Sequence, residues 1–143
     1  MKIKIWTDGA CSGTPGPGGW GVLIERDGVR REVSGSHPKT TNNIMEMTAC
    51  IEGLRMTEEG AEVDVWSDSQ YVVKGITEWM ANWKRKRWTT SEGKPVKNVS
   101  LWQTIDILCG KRKVAWHWVR GHDGHVENEI CDRLAVEAKQ AIM

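Results

Sequence analysis

Residues 2–9 read KIKIWTDG, and their alternation sets the architecture that the rest of the chain must fit. Ile3, Ile5 and Thr7 fall on one face of an extended segment and Lys4, Trp6 and Asp8 on the other, the period of a β-strand. A glycine- and proline-rich segment, GTPGPGG (13–19), follows. Next come two more strand segments, WGVLIE (20–25) and VRREVS (29–34), which flank RDG (26–28), and Asp27-Gly28 is a strong hairpin signal. TTNN (40–43) offers N-capping side chains ahead of IMEMTACIEGLRM (44–56), where Met47, Ile51 and Leu54 recur at helical spacing. AEVDVWSD (61–68) is again strand-like, and helical patterns cover roughly 69–83 and 99–109. KVAWHWV (113–119) is the last strand, and VENEICDRLAVEAKQA (126–141) the last helix, with Val126, Ile130 and Leu134 on one stripe. Strands separated by helices pair in parallel through right-handed crossovers, while the early hairpin adds an antiparallel edge. The expected fold is α/β: one domain, residues 1–143, with a mixed five-stranded sheet flanked by helices.

A chain of 143 residues can bury one core and is short of two. Nine tryptophans, one tyrosine and no phenylalanine leave nearly all aromatic packing to tryptophan. The formal net charge is +1, so attraction for a polyanion has to come from local clustering. NWKRKRW (82–88) is such a cluster, with Lys84, Arg85, Lys86 and Arg87 set between Trp83 and Trp88. A solvated helix face accounts for the charges but gives no use for the rings; an anionic, stackable partner accounts for both. The N-terminal MKIKIWTDGA lacks the apolar run of a signal peptide, and no stretch approaches the length of a membrane span. Cys11, Cys50, Cys109 and Cys131 are widely spaced with no CxxC pair, which argues against zinc, and without a secretion signal they read as reduced thiols. The expectation is a soluble cytoplasmic protein, assumed to be a monomer.

The acids carry the chemistry. Asp8 ends the first strand and Asp68 the fourth, each just before a break. In open α/β sheets ligands bind beyond the carboxyl ends of parallel strands, so the two converge if those strands are neighbours. Glu46 lies early in the first long helix, near the small side chains Ala49, Cys50 and Gly53, and Asp132 lies in the last helix. Any one of these acids alone reads as a solvated carboxylate or a cap, as Asp68-Ser69 does at its strand-to-helix junction. Four of them together without a cation would repel, so a cluster implies bound metal.

TDGACSGTPGPGGWG (7–21), TTNNIMEM (40–47), WSDSQYV (66–72) and WVRGHDGHVENEICDRLA (118–135) together resemble the four motif blocks of type 1 ribonuclease H of the bacterial kind, in that family's order. NWKRKRW falls where bacterial members carry a basic protrusion, here about residues 79–97. The resemblance implies a ribonuclease H-like fold and an endonuclease that hydrolyses the RNA strand of RNA–DNA hybrids, leaving 5′-phosphate and 3′-hydroxyl ends. It implies that Asp8, Glu46, Asp68 and Asp132 hold two Mg²⁺ ions, for which Mn²⁺ can substitute, roughly 4 Å apart. His122 matches a loop histidine used as a proton shuttle, a role suited to an unperturbed pKa near ~6.5. From sequence alone His125 competes with it, or caps the last helix. His117 reads as structural.

The resemblance also implies the substrate contacts. Cys11, Asn42, Asn43 and Gln70 match groups that read the RNA 2′-hydroxyl across the minor groove, and the asparagines double as helix-capping candidates. Lys39 and Thr41 match positions that grip a DNA phosphate. Thr14 stands where asparagine is usual and Ile44 where arginine is common. Trp79, Trp83, Lys84, Arg85, Lys86, Arg87 and Trp102 are expected to hold the DNA strand, cations on phosphates and rings on sugars or bases. The other reading of these rings, for Trp88 and Trp102 above all, is a satellite core beneath the protrusion. Trp6, Trp20, Trp66, Trp116 and Trp118 are assigned to the core or its edge. Competing functions are an integrase-like DNA nuclease of the same fold, a non-catalytic hybrid-binding module, and a hydrolase domain cut from a reverse transcriptase polyprotein. The order of blocks, the presence of all four acids and the compact chain respectively speak against them.

Overall fold

The computed structural model describes residues 2–121 and 125–143. β1 (Lys2–Cys11), β2 (Gly16–Arg26) and β3 (Val29–Thr40) form an antiparallel meander. Then come α1 (Asn42–Arg55), β4 (Glu62–Ser67), α2 (Gln70–Lys74), a π-helical turn (Gly75–Trp79), α3 (Met80–Arg85), α4 (Val99–Gly110), β5 (Lys113–Trp118) and α5 (Val126–Gln140). The sheet order is β3-β2-β1-β4-β5, with β1 parallel to β4 and β4 parallel to β5. This is the mixed five-stranded sheet that the alternation predicts. The hairpin strands run past their apolar segments, pairing Gly19 with Ser36 and Gly18 with His37.

The alternation of β1 separates two cores. Ile3 and Ile5 join Val22, Ile24, Val63 and Val65 against Met47, Leu54, Trp102 and Ile105 of the helices. Trp6 and Leu23, on the opposite face, pack with Cys131 of α5. Glycines decide how near the helices come. A Cβ at Gly9 would lie 2.5 Å from the Glu46 nitrogen, so its absence lets the start of α1 rest directly on β1. A Cβ at Gly21 would lie 2.6 Å from the Cys131 carbonyl oxygen, and α5 uses that space to lie on β2. Arg30 bridges Glu25 and Glu127, and Arg133 bridges Glu32 and Glu137. Ion pairs at the surface are screened by water and contribute little, so packing seats α5 and the charges trim it.

The pattern over 69–83 predicts helix, and the chain is helical from Gln70 to Arg85, with a π-turn set between two α-helical stretches. Gly75 is the reason: a Cβ there would sit 2.0 Å from the Trp102 ring, so the backbone lies flat on the indole. The N–H of Met80 reaches back five residues to the Gly75 carbonyl, widening the helix over that ring. Trp102, expected to flank the substrate groove, is therefore 0% exposed. It packs at 5.3 Å from both Tyr71 and Trp83, beneath the protrusion and out of reach of a substrate.

Overpacking a helix–sheet contact of this kind costs about 1–3 kcal/mol. Gly21→Ala is expected to lower unfolding free energy by that amount in urea titration. Gly110→Ala, which meets nothing within 4 Å, should leave it unchanged or slightly raised.

Candidate active site

β1 and β4 are parallel neighbours in which Thr7 pairs with Ser67, so the residues that follow, Asp8 and Asp68, arrive side by side. Glu46 comes down from the second turn of α1, which Thr41 starts by accepting the Ile44 N–H on its side-chain oxygen at 3.2 Å. Asn42 and Asn43 are the first two helical residues, and the cap is Thr41. One carboxylate oxygen from each of Asp8, Glu46 and Asp68 lies within 4.8 Å of the others. Asp8 is 4% exposed and Glu46 5%. The Gly9 N–H donates to Asp8 Oδ1 at 2.9 Å, whereas buried Glu46 Oε1 and Asp68 Oδ1 have no hydrogen-bond partner.

Burial, followed by the charge of Asp68, pushes the Asp8 carboxyl up to about 8. Burial and the charge of Asp8 hold Glu46 well above the usual carboxylate range. These oxygens lack compensating donors, and a hard divalent cation answers that lack: the donor set is all oxygen, which suits Mg²⁺ or Mn²⁺ and not zinc. Asp132, partly exposed on α5, is near enough for its charge to add to the rise at Asp8. It stands outside the trio.

His122 lies outside the described residues. His125 takes the capping role that sequence left open, its Nδ1 accepting the Asn128 N–H at 3.2 Å at the head of α5. His117 is structural, 2.9 Å from Asp64 Oδ1 and stacked on Trp66. Of the substrate-contact candidates, Gln70, Asn42, Thr14 and Lys39 are exposed, and Asn43 and Thr41 partly so. The Cys11 thiol faces the carbonyls of Gly13, Gly16 and Thr40 at 3.3–3.5 Å, tying the glycine loop to the end of β3. Lys84, Arg85, Lys86 and Arg87 are exposed at the end of α3 and just beyond, with Trp79 exposed and Trp83 half-buried on the same segment. Lys84 is paired with Asp106 at 3.1 Å.

Two contributors escape the reading of the sequence. Tyr71 joins Trp79, Trp83 and Trp102 in one ring cluster. The signal is there in the four-residue spacing of Tyr71, Gly75, Trp79 and Trp83. Trp118 donates its indole N–H to the Asp68 carbonyl at 3.1 Å, a contact that depends on strand register and leaves no local signal.

The RNase H family profile matches residues 1–140. The chain belongs to the RNase H family. It is 54% identical over 133 residues to Ribonuclease H of Thiobacillus denitrificans, covering 93% of this chain and 90% of that one. It is 51% identical over 141 residues to Ribonuclease H of Bordetella pertussis, covering 99% and 91%. Among solved structures, LC9-RNase H1, a type 1 RNase H with the type 2 active-site motif, superposes with a TM-score of 0.87 at 36% identity over 99% of this chain and 74% of that one. The bacterial type 1 assignment and the α/β fold are thus both established for this chain.

In the chelated protein the native state holds protons on Asp8 and Glu46 that the unfolded chain has released. Stability should therefore fall as pH rises from about 4 to about 8 through Asp8, and Glu46 adds a fall of the same sign. Asp8→Asn is expected to flatten that fall and to raise the chelated protein's Tm at pH 8, read by thermal denaturation across the range.

Proposed function

We propose that this chain cuts the RNA strand of RNA–DNA hybrids by phosphoryl transfer to water, leaving 5′-phosphate and 3′-hydroxyl ends. The observation that carries the reading is the carboxylate trio, two of its members buried and two of its oxygens unpartnered, in a chain that also presents an exposed basic and aromatic segment. Asp8 and Asp68 would be the central ligands of two Mg²⁺ ions, with Glu46 also touching the RNA and Asp132 completing one shell; Mn²⁺ can substitute. When bound, the cations supply positive charge opposite the phosphoryl oxygens and make the attacking water more acidic. The water oxygen bonds to phosphorus as the P–O3′ bond breaks, and a proton passes to the departing 3′-oxygen, with His122 as the proposed carrier.

The chain's own residues orient the substrate. The Gly9 N–H holds one oxygen of Asp8 in place, and the close seat of α1 on Gly9 sets the reach of Glu46. Asn42, Asn43 and Gln70 present polar groups to the 2′-hydroxyl, which is donor and acceptor at once. Cys11 acts there through the backbone it gathers. Thr41 spends an acceptor lone pair on its helix and keeps its O–H for a DNA phosphate beside Lys39. Thr14, on the exposed glycine loop, offers a hydroxyl to the substrate backbone. Trp79, Trp83, Arg85, Lys86 and Arg87 hold the DNA strand, with Lys84 sharing its charge with Asp106. The same reading takes the protein to be a cytoplasmic monomer.

With an end-labelled hybrid, cleavage confined to the RNA and dependent on Mg²⁺ or Mn²⁺ is expected, reduced at least ~10²-fold in Asp8→Asn. Binding without cutting under every cation would make the chain a hybrid-binding module, and equal cutting of duplex DNA would make it integrase-like. In binding assays against salt, Arg85→Ala or Lys86→Ala should each lower the log–log slope by about 0.9. Lys84→Ala should lower it by less, because its ammonium already faces Asp106.

A further inference from the structure

The end of β5 carries a ring that the reactions above leave unused. Trp118 is 44% exposed, although it sits against the backbone of a central site acid. β5 pairs with β4 so that Trp118 lies opposite Ser67, and the Val119 N–H continues the ladder to the Ser67 carbonyl at 3.0 Å. The indole N–H closes the arrangement on the Asp68 carbonyl. Indole has one donor and no acceptor, so with that donor engaged the ring has only its π-face to offer. Beside it lies a cavity of ≈ 190 Å³ lined by Gln70, Val73, Lys74, Glu78 and Trp118. Lys74 and Glu78 are exposed at its edge, one cation and one anion. Tyr71 and Trp79 of the same helical segment point elsewhere, into the ring cluster beneath the protrusion. The cavity is thus tied to Asp68 through the Trp118 hydrogen bond and shares Gln70 with the residues proposed above to read the RNA.

We propose that Trp118 and Lys74 form a subsite for the RNA strand at a nucleotide adjoining the scissile phosphate. The ring packs on ribose or base, and the ammonium takes the next phosphate. Stacking on an aromatic tolerates any base, because every base has a π-face, so the subsite lengthens the grip on RNA without imposing sequence. The strand pairing and the indole hydrogen bond keep the ring at a set offset from Asp68, which ties the gripped nucleotide to the cutting position. Glu78 opposes the phosphate and limits the subsite's strength. The assignment rests on hybrid hydrolysis as the activity.

The test uses hybrids with one DNA strand and RNAs shortened stepwise on either side of a single cut. Wild type is compared with Trp118→Ala, Trp118→Phe, Lys74→Ala and Glu78→Gln, with Tm recorded for each. Trp118→Ala should raise KM about 5- to 10-fold on RNA that covers the subsite, the weaker end of base–aromatic stacking. It should leave KM unchanged once the RNA is shortened on that one side. Trp118→Phe should keep most of the affinity, and Glu78→Gln should lower KM. Lys74→Ala should reduce the salt slope by about 0.7–0.9. An equal fall in kcat on long and short RNA with no change in KM would mean that the ring acts only by holding Asp68, and would overturn the subsite. Unchanged KM in both Trp118→Ala and Lys74→Ala would overturn it too. A wild type that cuts no hybrid would remove the functional reading, and the subsite with it.

Discussion

Three carboxylates held within 4.8 Å of one another, two of them nearly water-free, are the constraint on which this molecule depends. Left to itself the cluster is unfavourable. Burial strips hydration from the charged forms, and like charges raise each other's pKa, as the rise of Asp8 to about 8 shows. A fold would not keep such a trio unless the rest of the structure over-determined it. Here the ladder between β1 and β4 fixes two members and a capped helix fixes the third. The unpartnered oxygens of Glu46 and Asp68 mark where the missing positive charge belongs.

The supporting frame works by subtraction of side chains. Gly9 lets α1 touch β1 at the acid site, and Gly21 lets α5 lie on β2 on the other face. Gly75 lets the helical segment after Asp68 ride over Trp102. Each removes one Cβ where a backbone must approach closely, and together they bring elements from both faces of the sheet to one end of it. The same closeness makes the arrangement intolerant: a methyl group at any of these positions moves a helix that carries a functional side chain.

Acid site and protrusion are joined by the segment from Gln70 to Arg85. Of its rings, Tyr71 and Trp83 pack on buried Trp102, and Trp79 packs on those two, just ahead of the cations. Its other flank meets Trp118 and the cavity beside Asp68. One short stretch of helix thus sets the spacing between the acid site and the exposed cations. For a substrate whose strands are held a fixed distance apart, that spacing matters as much as either site.

Much of this was legible in the order of residues. The two-residue period of Lys2–Gly9, the Asp27-Gly28 turn, the capping run TTNN before α1 and the acids at strand ends are local signals, because period, turn chemistry and capping act over a few neighbouring residues. They determine the element types, the hairpin edge and which acids can meet. Other features join residues far apart in the chain and have no local signal. The π-turn within the helical stretch 70–85 depends on Trp102, 27 residues beyond Gly75, and the burial of Trp102 depends on the same contact. The standing of Asp132 outside the trio depends on how α5 lies across the sheet, and the bond from Trp118 to Asp68 on the register of two parallel strands. By itself the sequence determined the elements, the fold class and the chemistry at stake; the tertiary structure decided which rings are buried and how far apart the acids stand, since close packing between distant segments sets those distances.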